Sequence, residues 1–258
     1  QTVEASRASL EHDAQELEGR LRVARVRMMP AASGKTTGDR EAARAQAARS
    51  MGVEARLLCD AAQLVAADAA GLADANGELA KLDDKLGKGA SPAPIDDAAR
   101  ARAHCLDVLT RARRAAGDDA GAADTLLAEL SASGGWDPVR DERGVVVTLH
   151  DAFHGAELAP DAAKRLQDLG RVSAAHPGFG VQVVVHDAQA PVAKDPTDAK
   201  RADAAAQALV TGGAAQARLK TELAGARAPI VDPGDAKVRG RNERLDVVFV
   251  ASGNASGK

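Results

Sequence analysis

Only a few residues in this chain have the type and spacing that chemistry needs, and most of them suit binding or bracing better than turnover. Cys59 and Cys105 lie on two different expected helices, 46 residues apart. In an oxidising compartment they would close a disulfide worth roughly 3.5–4 kcal/mol by loop entropy; in a reducing one they are two buried thiols. Two cysteines cannot make a four-ligand metal site. Ser33-Gly34-Lys35-Thr36-Thr37 looks like the end of a phosphate-binding loop. The glycine needed five residues before Gly34 is Met29, and no strand leads in, so the segment reads as a polar loop. His150, Asp151 and His154 close one expected strand, and His186-Asp187 closes another. Strand ends can converge on a metal, but exposed histidines are the simpler reading, and no metal or other cofactor is expected. No GxSxG, HExxH or CxxC occurs, and no glycine-rich turn follows a strand, so no catalytic constellation is complete. The expectation is a non-enzymatic protein.

The elements that must carry these residues fall into two styles. In residues 2–29, Leu10, Ala14, Leu17, Leu21, Ala24 and Met28 alternate steps of four and three, a heptad seam. Met51, Leu58, Val65, Leu72, Leu79 and Leu86 then recur every seven residues, with Ala55, Ala62 and Ala69 between the first of them. Large residues alternating with alanine along one stripe favour tight antiparallel pairing of long helices. Gly71 and Gly77 weaken the helix by about 1 kcal/mol each, which predicts a kink or fraying over 71–77. Residues 87–97 form a loop. Asp96 or Asp97 can cap a helix over 96–116, and a short helix follows over 119–131. The breaker cluster 131–138 marks the expected boundary between domains. Beyond it the pattern turns to strands at 144–149, 181–186, 217–223 and 245–250, with helices at 160–176 and 196–211. That order is β-α-β-α-β-β, an α+β sandwich with helices on one sheet face. Residues 251–258 read as a disordered, solvated tail.

Composition marks the same division. Alanine makes up roughly a quarter of the 258 residues, while the only aromatics are Trp136, Phe153, Phe179 and Phe249. The first 135 residues must therefore pack without aromatic side chains, and Phe153 and Phe249 are expected in the α+β core. A net charge of −3 with interspersed signs argues against general nucleic-acid binding. No apolar run reaches the length that spans a bilayer. Hydrophobic content of 45% is too high for full disorder. A chain that opens on Gln1 without a leader suggests a trimmed form.

Several blocks recur in order over roughly 140–250: Arg143 to Leu149 with Phe153 and Ala156-Glu157-Leu158, Leu166 and Ala175-His176-Pro177, Lys200-Arg201-Ala202 against "LSxxRA", and Arg239, Asn242, Arg244 and the strand from Leu245 against "GRxxNRRVEI". On these residues the second half resembles the OmpA-like peptidoglycan-binding family, the group of the outer-membrane protein A C-terminal domain and the Pal lipoproteins. The resemblance implies a pocket for the diaminopimelate of a peptidoglycan stem peptide. Asp187 would meet the ammonium and Arg201 a carboxylate, with Arg239, Asn242 and Arg244 shaping the pocket. A zwitterion suits one anion and one forked cation held a few ångströms apart. The chain departs from the family at "GHTDxxG", which here is Val184 to Ala190 and lacks both glycines, and at "LS", which is Thr197-Asp198. Asp187 and Arg201 then form either a retained binding pair or a structural ion pair.

Together these readings predict a helical, coiled-coil-like domain over 1–135 joined to an OmpA-like domain over 138–250. The implied protein is periplasmic, associated with the outer membrane or cell wall, and held non-covalently to peptidoglycan, with the helices as spacer, partner-binding arm or self-association surface. The alternative is an assembly protein whose OmpA-like domain no longer binds ligand. With no tyrosine and no aromatic cluster to stack on sugars, contact should run through the peptide stem.

Overall fold

The computed structural model describes residues 37–117, 120–133, 135–189 and 196–252. The expected helix over 2–29, most of the polar loop at 33–37 and nearly all of the expected tail lie outside them. The described residues fall into two compact units, one within residues 37–63 and 68–112, the other within 64–67 and 113–252.

The first unit contains most of α1 (Thr37–Val65), α2 (Leu72–Gly87) and most of α3 (Ile95–Ala116). Side-chain pairing gives their directions. Arg56 on α1 pairs with Asp83 on α2, while Gly52 faces Leu82 and Leu86, so these two helices run antiparallel. Lys85 with Asp97 and Glu78 with His104 set α3 antiparallel to α2. Glu54 with Arg102 at 2.7 Å, and the Cys59–Cys105 disulfide, set α1 parallel to α3. The arrangement is up-down-up. Ala48, Ala55, Ala61, Ala62, Ala75 and Ala98 are fully buried beside Met51, Leu58, Leu82 and Leu109. Alanines at the contact let the helix axes approach closely.

The seven-residue series is shared between two helices. Met51 and Leu58 are buried on α1, and Leu72 and Leu79 on α2. The break falls at 66–71, ahead of the expected 71–77, and Gly71 closes it at φ 87°. A left-handed backbone suits glycine there, whereas Gly77 sits inside α2 without interrupting it.

The second unit adds α4 (Ala120–Ala132), β1 (Val139–Arg140), β2 (Val145–Leu149), β3 (Phe153–His154), β4 (Glu157–Leu158), α5 (Pro160–Ala175), β5 (Phe179–His186), α6 (Thr197–Thr211), β6 (Leu219–Gly225) and β7 (Arg244–Ala251). The main sheet has the order β1-β2-β7-β5-β6. Only β5 and β6 are parallel; β3 and β4 form a separate hairpin. Every residue of β5 and β7 is buried, as expected of central strands written FGVQVVVH and RLDVVFVA. Phe153, Phe179 and Phe249 share one core with Leu166, Leu169 and Leu209. Ala123, Leu126 and Leu130 of α4 belong to the same core. The compact units therefore divide the chain at 112/113, ahead of the breaker cluster. Periodicity had given α4 an apolar face without saying which core would receive it.

Helices α5 and α6 meet backbone to backbone. A Cβ on Gly170 would lie 2.2 Å from the Leu209 carbonyl oxygen, and one on Gly212 would lie 2.1 Å from that of Gln167. This contact holds α6, and hence Arg201, over the sheet. Gly170→Ala is expected to cost about 1–3 kcal/mol or more, because rigid backbone must move. A thermal melt that leaves the midpoint unchanged would contradict it.

Candidate functional site

The interior strand β5 delivers His186 at its C-terminal end and Asp187 directly after it. Alternation along the strand sends them to opposite faces. The register between β5 and β6 shifts at Val185/His186, and the Asp187 N–H donates to the Gly225 carbonyl at 3.1 Å. Asp187 therefore has a fixed backbone although it follows the strand.

Arg201 reaches Asp187 from the second turn of α6. Its Nη1 donates to Asp187 Oδ1 at 2.8 Å, its Nε to the Gly155 carbonyl at 2.7 Å, and its Nη2 lies 3.1 Å from Glu243 Oε1. Asp198 Oδ1 is 4.0 Å away on the same helix. The Phe153 ring lies 5.2 Å from the guanidinium carbon, a cation–π contact. The β3–β4 hairpin thus supplies Phe153 and Gly155, α6 supplies Asp198 and Arg201, and the entry to β7 supplies Glu243. The Asp187 and Arg201 side chains are each 11% exposed, while Glu243 is 41% exposed.

Three carboxylates surround one guanidinium. Asp187 is pushed up to about 7, first by burial, then by its hydrogen bond to Asp198 and the charge of Asp198, with Glu243 adding to it and Arg201 opposing. A carboxyl raised in the fold from 3.8 stabilises fully below 3.8, and that contribution is lost as pH rises through about 7. Asp187→Asn keeps a neutral group in place. It should leave the melting temperature nearly unchanged at pH 5 and raise it at pH 8. A lower midpoint at pH 8 would mark the pair as a structural ion pair.

The other expected site residues are distributed around this cluster. With the Gln189 amide oxygen turned toward it, Arg239 donates through Nε and Nη2 at 3.2 and 3.1 Å, tying the segment after β5 to the turn before β7. Asn242 is buried. Its Oδ1 accepts from the Ile230 and Val231 N–H groups at 2.8 and 2.9 Å, and its Nδ2 donates to the Val231 carbonyl. It pins the 230–231 backbone and shapes the neighbourhood indirectly.

Arg244 lies on the opposite sheet face, in a buried group with His186 and Asp246. Asp246 accepts from Thr148 Oγ1 at 2.7 Å and lies 3.1 Å from His186 Nε2 and 3.5 Å from Arg244 Nε. Burial pushes His186 below its usual range against the pull of Asp246. Asp246 is held well below the carboxylate range: burial works against this, but His186, Arg244 and Thr148 prevail. His186, expected as an exposed strand end, is buried, because both faces of β5 are covered and alternation alone does not show that. His150 and His154 are exposed.

From sequence, Asp198 stands only as the departure at "LS", and Glu243 is not among the expected site residues. Their signal was their place in motif-matching blocks where the family carries other residues.

No protein-family model matches the chain, and no curated protein matches it. Solved structures do. A MotB-like protein from Desulfovibrio vulgaris is 20% identical, with 56% of this chain and 96% of that chain covered and a TM-score of 0.43. The cell wall anchor of the T6SS from Pseudomonas aeruginosa is 22% identical, covering 49% and 95%, with a TM-score of 0.38. The OmpA-like domain of FopA1 from Francisella tularensis subsp. tularensis SCHU S4 is 18% identical, covering 45% and 80%, with a TM-score of 0.35. Residues 140–250 resemble the OmpA-like peptidoglycan-binding domains in sequence, and an OmpA-like domain is among the structures to which the chain is similar.

Proposed function

We propose that the second unit binds peptidoglycan non-covalently through the diaminopimelate of a stem peptide, in the periplasm and at the cell wall. The observation that carries this is the cluster at Arg201, where a largely buried guanidinium is outnumbered by Asp187, Asp198 and Glu243. A structural ion pair would be expected to balance its charges. A site with more carboxylates than cations suits a ligand that brings an ammonium. Such a group would sit on Asp187 and release the proton it holds. The ligand carboxylate would take Arg201, displacing Glu243, the most exposed of its partners. The role needs no catalytic step, and the helices of the first unit serve as spacer or arm.

A second reading has an observation of its own. Asp187 and Arg201 already touch at 2.8 Å with both side chains largely covered, which favours a domain that no longer admits ligand. Incubation of the full chain with purified sacculi, followed by sedimentation, separates the two. Binding predicts retention of wild type and loss for Asp187→Ala and Arg201→Ala. Equal retention of all three would remove the site assignment, and no retention of wild type would remove the function.

A further inference from the structure

Two of the three carboxylates at Arg201 stand where the family pattern quoted above has no acid. Asp198 takes the place of the serine in "LSxxRA", and Glu243 that of the first arginine after the asparagine in "GRxxNRRVEI". Both changes make the site more negative, and both residues are held against the same guanidinium, at 4.0 and 3.1 Å. The negative charge of Asp198 also works on Asp187, which it helps to push up despite the Arg201 guanidinium 2.8 Å away.

A cluster of this charge discriminates between an ammonium and an amide. An ammonium offsets part of the negative charge that Arg201 leaves unbalanced. An acylated amine brings no charge and leaves the carboxylates uncompensated in a largely buried place, which is costly. Resting on the stem-peptide reading, we propose that Asp198 and Glu243 are specificity residues that restrict the site to stem peptides whose diaminopimelate amine is free, excluding those whose amine is acylated in a cross-link.

The test uses the full chain and two soluble probes, a stem peptide ending in diaminopimelate and the same peptide with that amine acetylated, titrated by calorimetry at pH 8. Wild type should prefer the free amine by on the order of tenfold or more, as expected when a charge partner is removed from a desolvated site. Asp198→Asn and Glu243→Gln, which keep shape and remove charge, should each narrow that preference while melting near the wild-type temperature. Equal affinity of wild type for both probes would overturn the inference and leave the stem-peptide reading intact. A preference unchanged in both variants would overturn the roles of Asp198 and Glu243. Failure of wild type to bind either probe or sacculi would overturn the underlying reading itself.

Discussion

Arg201→Ala is expected to abolish retention on sacculi and also to lower the melting temperature, more so at pH 8 than at pH 5. The guanidinium satisfies the Gly155 carbonyl, Asp187 and Glu243 at once, and it lies against Phe153. Removing one partner of a buried charge pair costs about 3–5 kcal/mol, because the other is left uncompensated. Here three carboxylates are left. Asp187, already raised, is pushed up further without its cation and takes up a proton more readily, so the penalty shrinks as pH falls. A charge-keeping change separates binding geometry from fold. Arg201→Lys restores a cation but not the planar fork that serves a carbonyl and carboxylates together. It should recover much of the stability and little of the binding. Full binding by the lysine variant would mean that net charge alone is recognised. A stability loss with the same size at pH 5 and pH 8 would mean that packing of Arg201, not its charge, matters.

The second large effect is in the first unit. Breaking Cys59–Cys105 releases a loop with sequence separation 46, worth roughly 4 kcal/mol in the chain-entropy model. That is a large fraction of a typical total stability of about 5–15 kcal/mol. The need for the staple follows from composition. The described helices of this unit have no aromatic side chain, and much of their buried contact is alanine, which gains little per residue from leaving water. Both cysteines are buried, so the Cys59→Ser, Cys105→Ser protein also carries two hydroxyls into an apolar contact. Cys→Ala at both positions is the cleaner variant. Urea unfolding followed by far-UV circular dichroism should show the helical transition moving to lower denaturant in the alanine protein, with the transition of the second unit unmoved. Coincident transitions at the wild-type midpoint would contradict the role of the disulfide.

Much of this was readable in the sequence, for identifiable reasons. Strands β5 and β7 announce themselves through runs of valine, and Asp187 and Arg201 through the motif blocks that hold them, because a β-branched run and a local motif are both short-range signals. The hairpin of β3 and β4 was not legible: each strand has two residues, too few for any alternation. Nor was the contact of Gly170 with Gly212, since closeness of two helix backbones is a long-range fact. The series from Met51 to Leu86 kept its spacing across a break, because seven-residue spacing specifies a face and not continuity. Asp198 and Glu243 were visible as departures from a pattern, but only the fold brings both to Arg201. Their joint effect is an excess of negative charge, which neither position reveals alone.

On the proposed reading, Asp187 holds a ligand's ammonium and does not serve to brace α6. Sedimentation of the Asp187→Asn protein with sacculi at pH 8 addresses it most directly, because the substitution keeps size, shape and fold while removing the charge a ligand would meet. Wild type is expected to pellet with the sacculi, and Asp187→Asn, fully folded, to stay in the supernatant. Retention of Asp187→Asn equal to that of wild type would contradict it.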